Sequence, residues 1–183
     1  LAFLSKQCLW ALPGYSLARL FSRDIIMRKR IITPVPQETI PSDLEWLNIE
    51  ALAEVEITSE DDAFPIELAL LPGHDSGWRA AEPGKQTIRL IFDQPQTLKR
   101  ILLNFVDTET ERTQEYLLRW SPDGGQSFQE IVRQQWNFSP EGATSEMQEF
   151  QVALTAVTMI ELSIIPDISG GHAFASLAQL RLA

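Results

Sequence analysis

Ile88, Leu90 and Phe92 occupy every second position of TIRLIFD (87–93), and Ile101, Leu103 and Phe105 do the same in LKRILLNFV (98–106). A period of two marks one face of a β-strand, and it excludes the 3.6-residue period of an amphipathic helix. Similar runs follow at 53–58, 115–121, 128–136, 147–154, 157–165 and 174–182, separated by Gly, Pro, Asp and Ser. The spacing predicts about seven long strands and a short one near Trp78. Antiparallel strands with few helices bury their apolar faces by stacking two layers. The expected fold is therefore all-β, an antiparallel β-sandwich of jelly-roll topology. Asp123-Gly124 is a strong tight-turn signal and predicts a hairpin between 115–121 and 128–136.

Strand patterning begins near Ala53, so residues 53–183 are expected to form the sandwich and 1–52 a short irregular or helical N-terminal segment. Ser42 and Glu45 have capping-box spacing, predicting one helical turn before the first strand. Residues 1–26 differ in character from the rest and begin with Leu1, whereas Met27 opens a basic, proline-punctuated stretch. A start-site artefact with a natural start at Met27 is expected. Apolar runs in 1–26 are broken by Lys6, Pro13, Gly14 and Arg19, short of the roughly 20 apolar residues a bilayer requires. Fifteen basic against twenty-five acidic side chains give a net charge of −10. Such a balance repels phosphate backbones and anionic lipid heads, so neither nucleic acid nor membrane is an expected partner. Cys8 is the only cysteine. No intramolecular disulfide can form, and a cytoplasmic location is expected.

Connector length divides the sandwich into two poles. Links 94–97, 122–127 and 155–156 are short and suited to closing reversals. Segments 107–113, 137–146 and 166–173, together with 59–86, are long and gather at the other end, where loops on a rigid scaffold carry binding residues. Trp78, Arg79, Asp107, Glu109, Arg112, Trp136, Asn137, Asp167 and His172 fall there. Aromatic plates beside charged hydrogen-bonding groups suit sugars, whose C–H faces pack on a ring while their hydroxyls bind polar side chains. Each residue also has a structural role open to it. Trp78 and Trp120 fit the core, Trp136 can cap it, both arginines can be structurally paired, and His172 can be a surface residue.

Beyond these readings, the order GWRA (77–80), QTIRLIFDQPQTLKRILLNF (86–105), YLLRWSPDGGQSF (116–128), then ALTAVTMIELSIIP and ASLAQLRLA resembles the discoidin, or coagulation factor type C, group of galactose-binding-like domains. The resemblance spans about residues 53–183. It implies a jelly-roll sandwich that binds glycans, lipid heads or proteins through loops at one end and performs no chemistry. It places Arg79, Arg112, Trp136, Asn137 and His172 where relatives keep ligand contacts. Many carbohydrate-binding relatives also hold a structural calcium near the equivalent of LLPGHDSGW. Here Asp75 and Ser76 offer oxygens, but Pro72 and Gln179 stand where acidic ligands are wanted. No cofactor is therefore expected, with a structural calcium as the alternative.

An enzyme is not expected. His74 and His172 are the only histidines and lie in no catalytic motif, and no nucleophile elbow, zinc motif or phosphate loop occurs. The acidic run Glu60-Asp61-Asp62 with Glu67 reads as a solvated loop. Two functions stay open: a carbohydrate-binding module, or a cytoplasmic protein-interaction domain of the same fold.

Overall fold

Two long strands organise the fold. In the computed structural model, which describes residues 45–74 and 76–183, the elements follow as α1 (Ile49–Leu52), β1 (Ala53–Ile57), α2 (Glu67–Leu70), β2 (Trp78–Pro83), β3 (Gln86–Val106), β4 (Arg112–Ser121), β5 (Gln129–Phe138), β6 (Ser145–Ile165), β7 (Phe174–Leu177) and β8 (Gln179–Leu182). Residues 1–26, Met27, Ser42 and Asp75 lie outside the described residues. No described helix is long and apolar enough to cross a membrane.

β3 and β6 are each 21 residues long and pair antiparallel along their whole length, from Gln86↔Ile164 to Val106↔Ser145. Their first and second halves have different neighbours. Residues 88–92 of β3 pair with β1, and 159–165 of β6 pair with β4, which pairs in turn with β5. Residues 101–104 of β3 pair with β8. The β3–β6 ribbon thus passes from one layer of the sandwich to the other. β2 and β7 form a separate antiparallel pair. This is the expected antiparallel β-sandwich with jelly-roll topology.

The expectation that 94–97 and 155–156 close tight reversals is corrected: both lie inside continuous strands, and 87–93 pairs with β6 rather than with 98–106. At these positions the ribbon turns a corner. Register shifts fall between Ile91 and Gln96 and again before Arg100, and Ala156 takes a positive φ of 56°. Pro95 sits among exposed residues at this corner, where a missing N–H interrupts no buried ladder. Bulges bend a strand and shift its facing. Accordingly Ile88, Leu90 and Phe92 are buried on the even phase, and Ile101, Leu103 and Phe105 on the odd. Both triplets expected from the sequence reach the same core, joined by Trp78, Tyr116, Leu118, Ile160, Leu162, Leu177 and Leu180. Burying one such side chain contributes about 2 kcal/mol.

The hairpin at Asp123-Gly124 forms as expected. The Ser121 hydroxyl donates to Asp123 Oδ1 (2.7 Å) and accepts from the Gly125 amide (2.9 Å). Asp123 also accepts from the Ser127 amide and hydroxyl (2.8 and 2.6 Å). Gly124 and Gly125 both have positive φ, as such a turn requires. The helical turn differs in place. Glu45 to Asn48 are not helical, because the Leu47 amide is drawn to Leu182 O (2.7 Å) and the Arg100 guanidinium packs on the Trp46 ring (4.0 Å). The turn begins only at Ile49, whose side chain is buried. The expected strand 174–182 is interrupted at Ala178, whose amide bonds Asn104 O.

Candidate functional site

The short and long connectors separate to opposite ends. At one end Gln96 pairs with Val157, and the Gly124 amide bonds Thr158 Oγ1 (2.9 Å), so 94–97, 122–127 and 155–156 adjoin. At the other end Asp107 N bonds Thr144 O (2.9 Å), Ile168 N bonds Thr113 O (2.9 Å) and Gly84 N bonds Ala173 O (3.1 Å). These bonds draw the long segments together around a cavity of about 550 Å³.

Two structural devices shape its rim. Asp107 accepts from the amides of Glu109 (2.9 Å) and Thr110 (3.1 Å), which folds 107–110 into a turn. Its other oxygen lies 2.5 Å from Arg112 Nε, and Arg112 also donates to the Pro166 carbonyl and to Gln114 Oε1 (3.2 Å). One guanidinium therefore ties 107–110 to the start of 166–173. Burial pushes the Asp107 carboxyl up, but the Glu109 amide, Arg112 and the Thr110 amide outweigh it and hold the group below its ordinary value. The second device is Asp167, which accepts from the Ser169 hydroxyl (2.6 Å) and amide (2.9 Å). Those bonds hold its carboxyl low as well.

Inside this rim the cavity wall includes Arg79, Glu109, His172 and Phe174. Phe174 is 37% exposed, and the Arg79 guanidinium lies 5.5 Å from its ring centroid. The pairing of β2 with β7 sets that contact, through Arg79↔Ser176 and Pro83↔Phe174.

Of the five residues expected from the sequence, the cavity brings together Arg79, Arg112 and His172. Arg112 is there as a strut, its side chain 2% exposed. Trp136 and Asn137 do not line it. Trp136 lies opposite Gln114 and packs half-buried against the core, and Asn137 accepts the Thr113 hydroxyl (2.8 Å) on the exposed face of β5. Trp78 is buried in the core, 1% exposed. Phe174 lies in FASLAQLRL, which reads as one strand and not as a loop, so loop position does not point to it.

The residues of the calcium-loop segment that are described do not fit a hard divalent cation, which requires six to eight oxygens. The carbonyls of Leu70 and Leu71 accept from the Arg181 guanidinium, the latter at 2.6 Å. Burial lowers the Arg181 pKa. No group of three or more His, Cys, Asp or Glu placed to hold a metal occurs among the described residues. The acidic run is structural in part: Glu60 accepts the Ile66 amide (3.0 Å) and Asp61 the Ala63 amide (2.9 Å).

No family model matches the chain, and no curated protein matches it. Solved structures do. The family 32 carbohydrate-binding module of NanJ from C. perfringens, in complex with galactose, shares 17% identity, with a TM-score of 0.53 over 73% of this chain and 95% of that one. A Clostridium perfringens module in complex with GalNAc-β-1,3-galactose shares 19% identity, with a TM-score of 0.55 over 75% and 99%. A chitosan-binding module from a chitosanase/glucanase of Paenibacillus sp. IK-5 shares 17%, with a TM-score of 0.54 over 75% and 98%. The fold is thus the galactose-binding, discoidin-like one that the sequence resembled. Its similar structures are carbohydrate-binding modules, a non-catalytic kind of domain, some of them within enzymes.

Proposed function

We propose that this domain is a non-catalytic saccharide-binding module whose ligand enters the cavity between 106–112 and 167–176. The observation that carries the reading is the exposed ring of Phe174 beside the Arg79 guanidinium, in a wall that mixes apolar Val106 with polar Asp107, Glu109, Thr110 and His172. A sugar ring packs its C–H face on the phenyl group while Arg79, His172 and the carboxylates take its hydroxyls. The cavity volume lies within the ordinary range of small-ligand sites. Relatives in fold that were solved with galactose or GalNAc-β-1,3-galactose support this ligand class. A glycan array with the wild type and with Phe174→Ala tests it. Saccharide signals lost in the variant are expected; no signal on any glycan, with a protein co-purifying through the same residues, overturns the reading in favour of a protein partner.

A further inference from the structure

Six ionisable side chains line the cavity: Arg79, Asp107, Glu109, Arg112, Asp167 and His172. They are not equally available to a ligand. Arg112 and Asp107 neutralise each other at 2.5 Å, and the guanidinium is almost wholly buried. Asp167 keeps its negative charge, but its Oδ1 is occupied by Ser169. The carboxylate of Glu109 is exposed and makes no hydrogen bond or ion pair among the described residues. Arg79 is the one remaining fixed cation of the lining, and its guanidinium is drawn over Phe174. Apart from His172, the unneutralised charges are one positive and two negative, in a chain that carries −10 overall.

This imbalance has a consequence for ligand class. A saccharide bearing carboxylates or sulfates brings like charge toward Glu109 and Asp167. One bearing an ammonium group meets the unpaired Glu109 carboxylate in the cavity that Phe174 also lines. Charge-assisted hydrogen bonds are about twice as strong as neutral ones, so a single such contact is enough to rank otherwise similar sugars. Glu109 is also well placed for the task, because the Asp107 turn fixes its backbone through an amide bond and leaves its side chain uncommitted.

We propose that Glu109 is the specificity-determining residue of this cavity and that it selects hexosamines with a free amino group over their N-acetylated and uronate counterparts. The proposal rests on the saccharide reading above. Three oligosaccharides of equal length test it by calorimetry in low-salt buffer at about pH 7, where an imidazole is mostly neutral: glucosamine, N-acetylglucosamine and galacturonate oligomers, with a lysine oligomer as a control for charge alone. The glucosamine oligomer is expected to bind about fivefold or more tighter than the N-acetylated one, a preference that shrinks at about 0.5 M salt as the ammonium–carboxylate attraction is screened. Glu109→Gln is expected to remove that preference by weakening the glucosamine oligomer about fivefold more than the N-acetylated one. Equal affinity for glucosamine and N-acetylglucosamine oligomers, or a preference that survives Glu109→Gln, overturns the role of Glu109 and leaves the saccharide reading standing. A lysine oligomer binding as tightly as glucosamine overturns the selection of a sugar by this cavity. Binding of none of the four overturns the amino-sugar selection, and the glycan array then decides the saccharide reading separately.

Discussion

Arg112 Nε lies 2.5 Å from Asp107 Oδ2, five residues earlier in the chain, and the same guanidinium reaches the Pro166 carbonyl across the cavity rim. The arrangement makes Arg112 the joint between two loops and not a hand that a ligand can grasp. Replacing it by Ala strands a half-buried carboxylate, the Pro166 carbonyl and Gln114 Oε1, at a cost of about 3 kcal/mol. Arg112→Lys is expected to recover less than half of that, because a single ammonium cannot reproduce the planar fork that reaches three acceptors. Chemical denaturation of the three proteins checks this; a lysine variant as stable as wild type contradicts it.

Glu161 is 2% exposed on the outer face of β6, between Arg89 (2.8 Å) and Arg119 (2.6 Å). The ladder extends to Glu56 at one end and, through Arg119, to the Phe128 ring (4.0 Å) at the other. Its arginines are 42% and 34% exposed and can return to water when the carboxylate is removed. Glu161→Gln is therefore expected to destabilise by about 2 kcal/mol, less than a fully buried pair would lose. Equilibrium urea unfolding with an unchanged slope measures it, and a loss near zero contradicts the account.

The Ser127 and Ser121 side chains and the Ser127 amide hold the Asp123 carboxyl down at about 2, against an ordinary 3.8. A group whose folded pKa is depressed contributes stability above its unfolded value and loses it as pH falls through the folded one. The melting-temperature advantage of wild type over Asp123→Asn is thus expected to be constant above about pH 5 and to shrink between about 4 and 2. Observing the Asp123 carboxyl by NMR gives the same test directly; a midpoint near 4 contradicts it.

Gly77 precedes the buried Trp78, and a Cβ at this position would run into the Leu177 carbonyl oxygen and Ala178 Cα, both backbone atoms that cannot swing aside. Gly77→Ala is expected to cost about 2–3 kcal/mol by forcing β2 away from β7. Because that pair also sets Arg79 against Phe174, saccharide affinity is expected to fall with stability. Gly84→Ala is the control at a glycine with open space: its positive φ of 89° carries strain without a clash, and a smaller loss is expected.

The period-two triplets at 88–92 and 101–105, the Asp123-Gly124 turn and the division of connectors into two poles were all legible in the chain, because each depends on local spacing. The corners at 94–97 and 155–156 were not. Alternation states which face a side chain takes but not which strand it pairs with, and the partners of β3 lie up to about 78 residues away, as Gln86↔Ile164 shows. The site was legible in part for the same reason. Arg79 and His172 follow from loop position. Phe174 belongs to an apolar run, and it is left exposed only because it stands at the end of a short strand opposite Pro83. Arg112 belongs to an acidic loop in sequence and to the buried side of a strand in space.

The most direct test follows amide shifts of the labelled protein as galactose, N-acetylgalactosamine and glucosamine oligomers are titrated in. The account predicts shifts confined to Arg79, 106–112 and 167–176, abolished or weakened about tenfold by Phe174→Ala. Shifts centred on the Ser121–Phe128 hairpin at the other pole, or none with any of the three sugars, would contradict it.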